Sequence, residues 1–377
     1  MAMHGVSRPG LGAIDAAPSR RPRAPVARRV RRLAPNLLLL AASLGVAVLA
    51  AEALLRVVVG SPVHWRYPQE RYASDPVLDH RLVPGQRAFT HDAPVAVNAL
   101  GMRDHDVAAA ISPGTRRVLA IGDSQTFGNG LPLDATWPKQ LEQRLGAGGE
   151  VLNAGVPGTD TWQHERWLAE LARSVRFDLV VLGLYANDVV PLPQRIGAEV
   201  ALTNDGAHRV SYVLRRSALV TALWQARESI RSLIAPDPGA LREQAIVTGI
   251  ATPEMEPGWR QVETSLRGMQ QIAREAHARL LVLVIPRRDQ VSGQIAGAGF
   301  QQRAADIAAR LGIDVVDALP PLRAAYRDFG DRLFLPWDGH DSAIANRVIA
   351  EALAAPVRSE LDAGSPAHNT MPSEETP

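Results

Sequence analysis

The chain has 377 residues, 46% of them hydrophobic and 21% charged, a composition that excludes a disordered or fibrous protein and suits one large core. It has no cysteine, which excludes disulfides, thiolate metal sites and a cysteine nucleophile. Its basic character is local: eight arginines fall within residues 1–35 against Asp15 alone, and residues 36–377 hold thirty-three basic and thirty-eight acidic side chains, so no nucleic-acid partner is expected.

Residues 1–35 read as a disordered basic tail. Residues 36–59 follow as a membrane anchor: positions 37 to 51 carry no charge, and the apolar stretch reaches Val59 if Glu52 and Arg56, which share a helix face, are tolerated. Twenty-three helical residues span roughly 34 Å, enough for a hydrocarbon core of about 30 Å. The arginine cluster before it should stay cytoplasmic, which exports the body. A cleaved signal peptide competes with the anchor, because Val48 and Ala50 offer small residues before a cut, and a buried core helix is the third reading. The uncleaved single-pass anchor is the one adopted here.

Residues 60–115 are rich in Pro, Gly, Asp and Arg and read as an irregular lead-in with one hairpin. The main domain is expected over 116–360. "RRVLAIG" (116–122), "EVLNAG" (150–155), "FDLVVLGLY" (177–185), "RLLVLVIP" (279–286) and "IDVVDAL" (313–319) are apolar enough to be strands covered on both faces. Helical patterns alternate with them: "TWPKQLEQRLG", "TWQHERWLAELARS", "VETSLRGMQQIAREAHA" and "FQQRAADIAARLG". Alternation of this kind predicts an α/β fold, three layers with a central parallel sheet of about five strands. Residues 190–258 break the rhythm and read as an insertion over the carboxyl edge of the sheet. Its helical stretch "YVLRRSALVTALWQARESIRSLI" carries too many charges to span a membrane. Residues 361–377 read as a disordered end.

Ligands of such sheets sit beyond the carboxyl ends of the strands. Four polar clusters fall there: Gly122-Asp123-Ser124, Asn153-Ala154-Gly155, Asn187-Asp188, and Asp338 with His340 before the last helix. Taken singly each is ordinary turn chemistry. Together they supply a nucleophile (Ser124), a base (His340), an orienting acid (Asp338) and oxyanion donors from the Ser124 and Gly155 N–H groups and the Asn187 amide.

In these blocks the chain resembles the SGNH hydrolases, also called GDSL-type lipases and esterases, over roughly residues 95–355. "VNALGMRD", with Asn98, Gly101 and Arg103, resembles an N-x-x-G-x-R element that precedes the first block in membrane-anchored bacterial members, and "AEALLR" resembles the end of their anchors. The resemblance implies an α/β/α fold with Ser124 as nucleophile, His340 as general base and Asp338 orienting it. Two departures stand out. Gln125 replaces the leucine that names the family, at a position taken as tolerant. Asp338 lies two residues before His340 where many members place it three before, a spacing shared by polysaccharide O-acetyltransferases, with Asp341 as fallback.

The reading is a serine ester hydrolase with no metal and no cofactor, anchored in a bacterial inner membrane with its catalytic domain periplasmic. Its substrate is an acyl ester, on an envelope polysaccharide or a lipid. The alternatives are an O-acetyltransferase with the same triad and a catalytically silent carbohydrate-binding module.

Overall fold

The computed structural model describes residues 26–58, 70–91, 93–108, 111–189, 217–234, 238–250, 253–336 and 339–363. In chain order its elements are α1 (Val26–Val58), β1 (Tyr72–Asp75), β2 (Asp79–Leu82), β3 (Arg87–Thr90), β4 (Ala93–Ala96), β5 (Arg116–Gly122), α2 (Ser124–Phe127), α3 (Trp137–Leu145), β6 (Gly149–Asn153), α4 (Thr161–Leu171) and β7 (Leu179–Leu184). There follow α5 (Ala218–Ile234), α6 (Pro238–Thr248), α7 (Glu256–Glu275), β8 (Arg279–Val284), α8 (Arg288–Val291), α9 (Gly299–Leu311), β9 (Asp314–Asp317), α10 (Leu319–Phe329) and α11 (Ala343–Ala363).

The chain divides into two units, residues 1–55 and 56–377. In the first, α1 contains a stretch, Pro35–Val58, of mean hydropathy 2.3 and no burial. That is long and apolar enough to cross a membrane, a property shared with signal sequences. The helix begins at Val26, inside the segment expected to be a disordered tail. The Ala, Arg and Leu of "VARRVRRLA" are strong helix formers and carry it back through the basic run.

In the second unit, five strands form one parallel sheet in the order β6-β5-β7-β8-β9. The period-2 alternation of strand side chains explains its two cores. In β5, Leu119 and Ile121 face one side with Leu168 of α4, Val262 and Leu266 of α7, and Phe300 and Ile307 of α9. Val118 and Ala120 face the other side with Trp137 and Leu141 of α3, Leu322 of α10, and Ile349 and Leu353 of α11. Helices on both faces make this the expected three-layer fold.

The lead-in holds two antiparallel hairpins, β1–β2 and β3–β4, where one was expected. Their four-residue strands are too short to stand out as alternating patterns. Helix α10 was not among the expected helices. Its prolines occupy the first turn, where the N–H they lack would have had no partner anyway. Of the insertion, residues 190–216 lie outside the described residues. Helix α6 packs against the turn that follows β7 and against α9, and its Glu243 pairs with Arg287 beyond β8. This part of the insertion therefore lies at the carboxyl edge.

Candidate active site

Strand β5 is the hinge of the sheet, with β6 on one side and β7 on the other. A crevice opens at such a reversal, beyond the strand's carboxyl end. Ser124 stands there as the first residue of α2, a single turn. Asp123 caps that turn: its Oδ1 accepts the Gln125 N–H at 2.9 Å. The Ser124 N–H, one of the donors that every helix start leaves over, meets no acceptor among the described residues.

His340 comes from the opposite end of the chain. Its Nε2 lies 2.8 Å from Ser124 Oγ, within reach for proton transfer. The loop that presents it is folded on itself. Leu335 N–H donates to the His340 carbonyl at 2.7 Å, and Phe334 bridges to Asp341. Asn346, in the first turn of α11, anchors this loop. Its Nδ2 donates to the Asp341 and Ser342 carbonyls at 3.1 and 3.0 Å, while its Oδ1 accepts the Trp137 N–H at 2.7 Å.

Asn187 sits in the turn after β7. Its Nδ2 donates one hydrogen to Asp123 Oδ2 at 3.0 Å, which orients the amide and leaves its second hydrogen for another acceptor. Asp123 therefore holds both the Ser124 turn and the asparagine. Burial pushes the Asp123 carboxyl up, and the Gln125 N–H, the Asn187 amide and His340 all oppose that rise. Next to Asn187, Asp188 accepts the Tyr185 N–H at 2.8 Å. Burial raises Asp188 strongly, and Asp123 adds to the effect.

Gly155 departs from its expected role. Its N–H is engaged by Asn153 Oδ1 at 3.1 Å, so the geometry gives it a packing role instead. A Cβ at 155 would stand 2.3 Å from the Phe127 nitrogen, so glycine is what allows the β6 turn to press against the backbone of α2. Three residues on, the half-buried Gly158 has an N–H with no acceptor among the described residues. The second glycine of "NAGVPG" was the signal in the sequence that could have pointed to residue 158.

Asp338 lies outside the described residues. The fallback acid, Asp341, is buried and makes no hydrogen bond to the His340 ring. Burial pushes its carboxyl up to about 7; His340 opposes the rise and Asp123 adds to it. Gln125, taken as a tolerant position, is a structural link. Its Oε1 accepts the Asp341 N–H at 3.3 Å and joins the Ser124 turn to the histidine loop. A polar side chain where the neighbouring pattern calls for leucine was the available signal. Among the described residues no cluster of His, Asp and Glu is arranged to hold a metal.

Residues 120–341 match the GDSL-like lipase/acylhydrolase family. No curated protein matches the chain. Among solved structures, a lipolytic G-D-S-L family protein from Veillonella parvula is 14% identical with a TM-score of 0.40, the alignment covering 65% of this chain and 99% of that one. The carbohydrate acetylesterase Est24 from Sinorhizobium meliloti is 15% identical at TM-score 0.36, over 65% and 99% of the two chains. The native aryl esterase of M. smegmatis is 20% identical at 0.35, over 65% and 100%. With more than half of its length matched, the chain belongs to the GDSL-like lipase/acylhydrolase family.

Proposed function

We propose that the protein is a membrane-anchored ester hydrolase that works through Ser124, His340 and Asp338. The observation that carries this reading is the 2.8 Å contact between His340 Nε2 and Ser124 Oγ, made by residues 216 positions apart. A serine hydroxyl is a weak nucleophile, and a base at that distance is what activates it. His340 Nε2 takes the Oγ proton as Oγ bonds to the ester carbonyl carbon. The oxyanion that forms is held by the Ser124 N–H and the free hydrogen of Asn187 Nδ2. Because the Gly155 N–H is engaged, Gly158 is proposed as the third donor in its place. His340 returns the proton to the departing alkoxide and leaves an acyl-serine. A water molecule, deprotonated by His340, then attacks the acyl carbon, and His340 returns that proton to Ser124 Oγ as the acyl bond breaks and the acid leaves. Asp338 is assigned to hold the His340 ring.

The Pro35–Val58 stretch is read as an anchor in a bacterial inner membrane, with the body on the periplasmic side, where an envelope polysaccharide or lipid would carry the ester. The family match speaks for hydrolysis and adds nothing for transfer to a sugar hydroxyl.

The test compares the full chain in detergent with Ser124→Ala on p-nitrophenyl acetate. Turnover should fall by about three orders of magnitude or more, with the circular dichroism spectrum unchanged. A variant as active as the wild type, or a folded wild type that cleaves no ester, removes the reading.

A further inference from the structure

Helix α2 is a single turn, so it cannot hold itself. Such a segment has more orphan backbone groups than internal bonds, and an isolated turn is unstable in water. Its amino end is held by Asp123. The question is what holds the other end.

The answer lies in the lead-in. The Arg103 side chain is fully buried, and its Nη1 donates to the Phe127 carbonyl at 2.7 Å and the Gly128 carbonyl at 2.8 Å. Its Nη2 donates to the Leu131 carbonyl and, at 3.4 Å, to that of Pro94. The guanidinium also lies over the Phe127 ring, 4.6 Å from its centroid. The Phe127, Gly128 and Leu131 carbonyls belong to the last residue of α2 and the loop that leaves it, and that of Pro94 belongs to β4. No carboxylate pairs with Arg103 at ion-pair distance among the described residues. Burial lowers its pKa to about 10, so it stays charged at neutral pH.

The neighbour completes the strap. Asp104 Oδ2 accepts the Asn153 N–H at 2.8 Å, and Asp104 also pairs with Lys139 at 2.9 Å. The Asn153 side chain in turn donates to the Phe127 carbonyl at 3.3 Å. Residues 98–105 are themselves a rigid loop. Asn98 Oδ1 accepts the Leu100 and Met102 N–H groups at 3.0 Å, and Gly101 takes a φ of +85° that other residues avoid.

A buried cation that no carboxylate touches, with Glu70 and Asp104 offsetting only part of the cost of its burial, is a poor device for stability alone, since apolar side chains fill such a space at lower cost. Its planar fork suits it to gripping several carbonyls at once, which lysine cannot match. We propose that Arg103 is a positioning residue: through the Phe127, Gly128 and Leu131 carbonyls it holds the α2 turn, and so keeps Ser124 Oγ where His340 reaches it. This rests on Ser124 being the nucleophile. The expected signature is a loss of turnover, with substrate binding left almost intact.

The test uses the full chain in detergent, with Arg103→Lys, which keeps the charge, and Arg103→Ala. It reads kcat and KM on p-nitrophenyl acetate, the rate of Ser124 labelling by a fluorophosphonate, and the folded fraction by circular dichroism. Arg103→Lys should fold and lose on the order of 100-fold in kcat, as a small misplacement of a reacting group does. Its KM should stay within about threefold of wild type, and labelling should slow in step with kcat. Millimolar guanidinium ion should raise the kcat of Arg103→Ala.

A folded Arg103→Lys that turns over and labels at the wild-type rate overturns the proposal. So does a KM rise at constant kcat, or losses in both variants that match their unfolded fractions. A wild type that takes no label at Ser124 overturns the nucleophile reading and this proposal with it. A labelled wild type beside an equally labelled, folded variant overturns the strap alone.

Discussion

Asn187 and Asp341 show how single side chains set the chemistry available at the carboxyl edge. The Asn187 amide is aimed by Asp123, so replacing it by alanine removes a donor and also deprives a buried carboxylate of a partner. Asn187→Ala should lower kcat by about 100-fold with KM little changed, read by steady-state ester hydrolysis. Asp341 gives a prediction in pH. Its folded value of about 7 lies above the ordinary carboxylate value, so the folded protein keeps a proton that the unfolded chain releases as pH rises past 4. The stability this group contributes is complete below that range and is lost as pH climbs to 7. Thermal melts of the wild type should therefore weaken between pH 5 and 7.5 relative to Asp341→Asn. The difference is at most about 4 kcal/mol at the usual 1.36 kcal/mol per pKa unit. Parallel melting curves across that range would contradict it.

At the scale of elements, the site is an assembly of helix starts and strand ends held by side chains from elsewhere. Asn346 is the clearest case, because one amide joins the starts of α3 and α11 to the histidine loop. Asn346→Leu leaves a buried Trp137 N–H and the Asp341 carbonyl without their partner, while the Ser342 carbonyl keeps the backbone N–H of residue 346. It should cost about 2–3 kcal/mol in urea melts and lower kcat as His340 loses its support. An unchanged urea midpoint would show that water replaces the amide. The same scale explains why the proposed oxyanion donor moves from Gly155 to Gly158. Gly155 and Gly158 stand in one turn, and only the three-dimensional path shows the first N–H bonded to Asn153 and the first glycine pressed against α2.

Across the whole molecule, both buried clusters are built, among the described residues, from side chains between Leu78 and Leu361, none of them in α1. Removing residues 1–60 should therefore leave the melting temperature and kcat within error of the full chain in detergent, and should release the protein from membranes if the helix is an uncleaved anchor. A truncated form that aggregates or melts well below the full chain would show that α1 belongs to the folded body.

Much of this was legible in the residues alone. Five near-continuous apolar runs, alternating with amphipathic segments, determine a parallel sheet covered on both faces, because strands with no polar side cannot face water. That Ser124, Asn187 and His340 would come together was legible too, since each follows a strand or precedes a helix at the edge where ligands of such sheets bind. Contacts between segments far apart in sequence were not. The pairing of Gln125 with Asp341, the engagement of Gly155 and the grip of Arg103 on the turn beyond Ser124 depend on hydrogen-bond directions at a few ångströms. Local periodicity decides which faces are buried. Which polar group meets which acceptor is decided only when packing brings distant segments of the chain together.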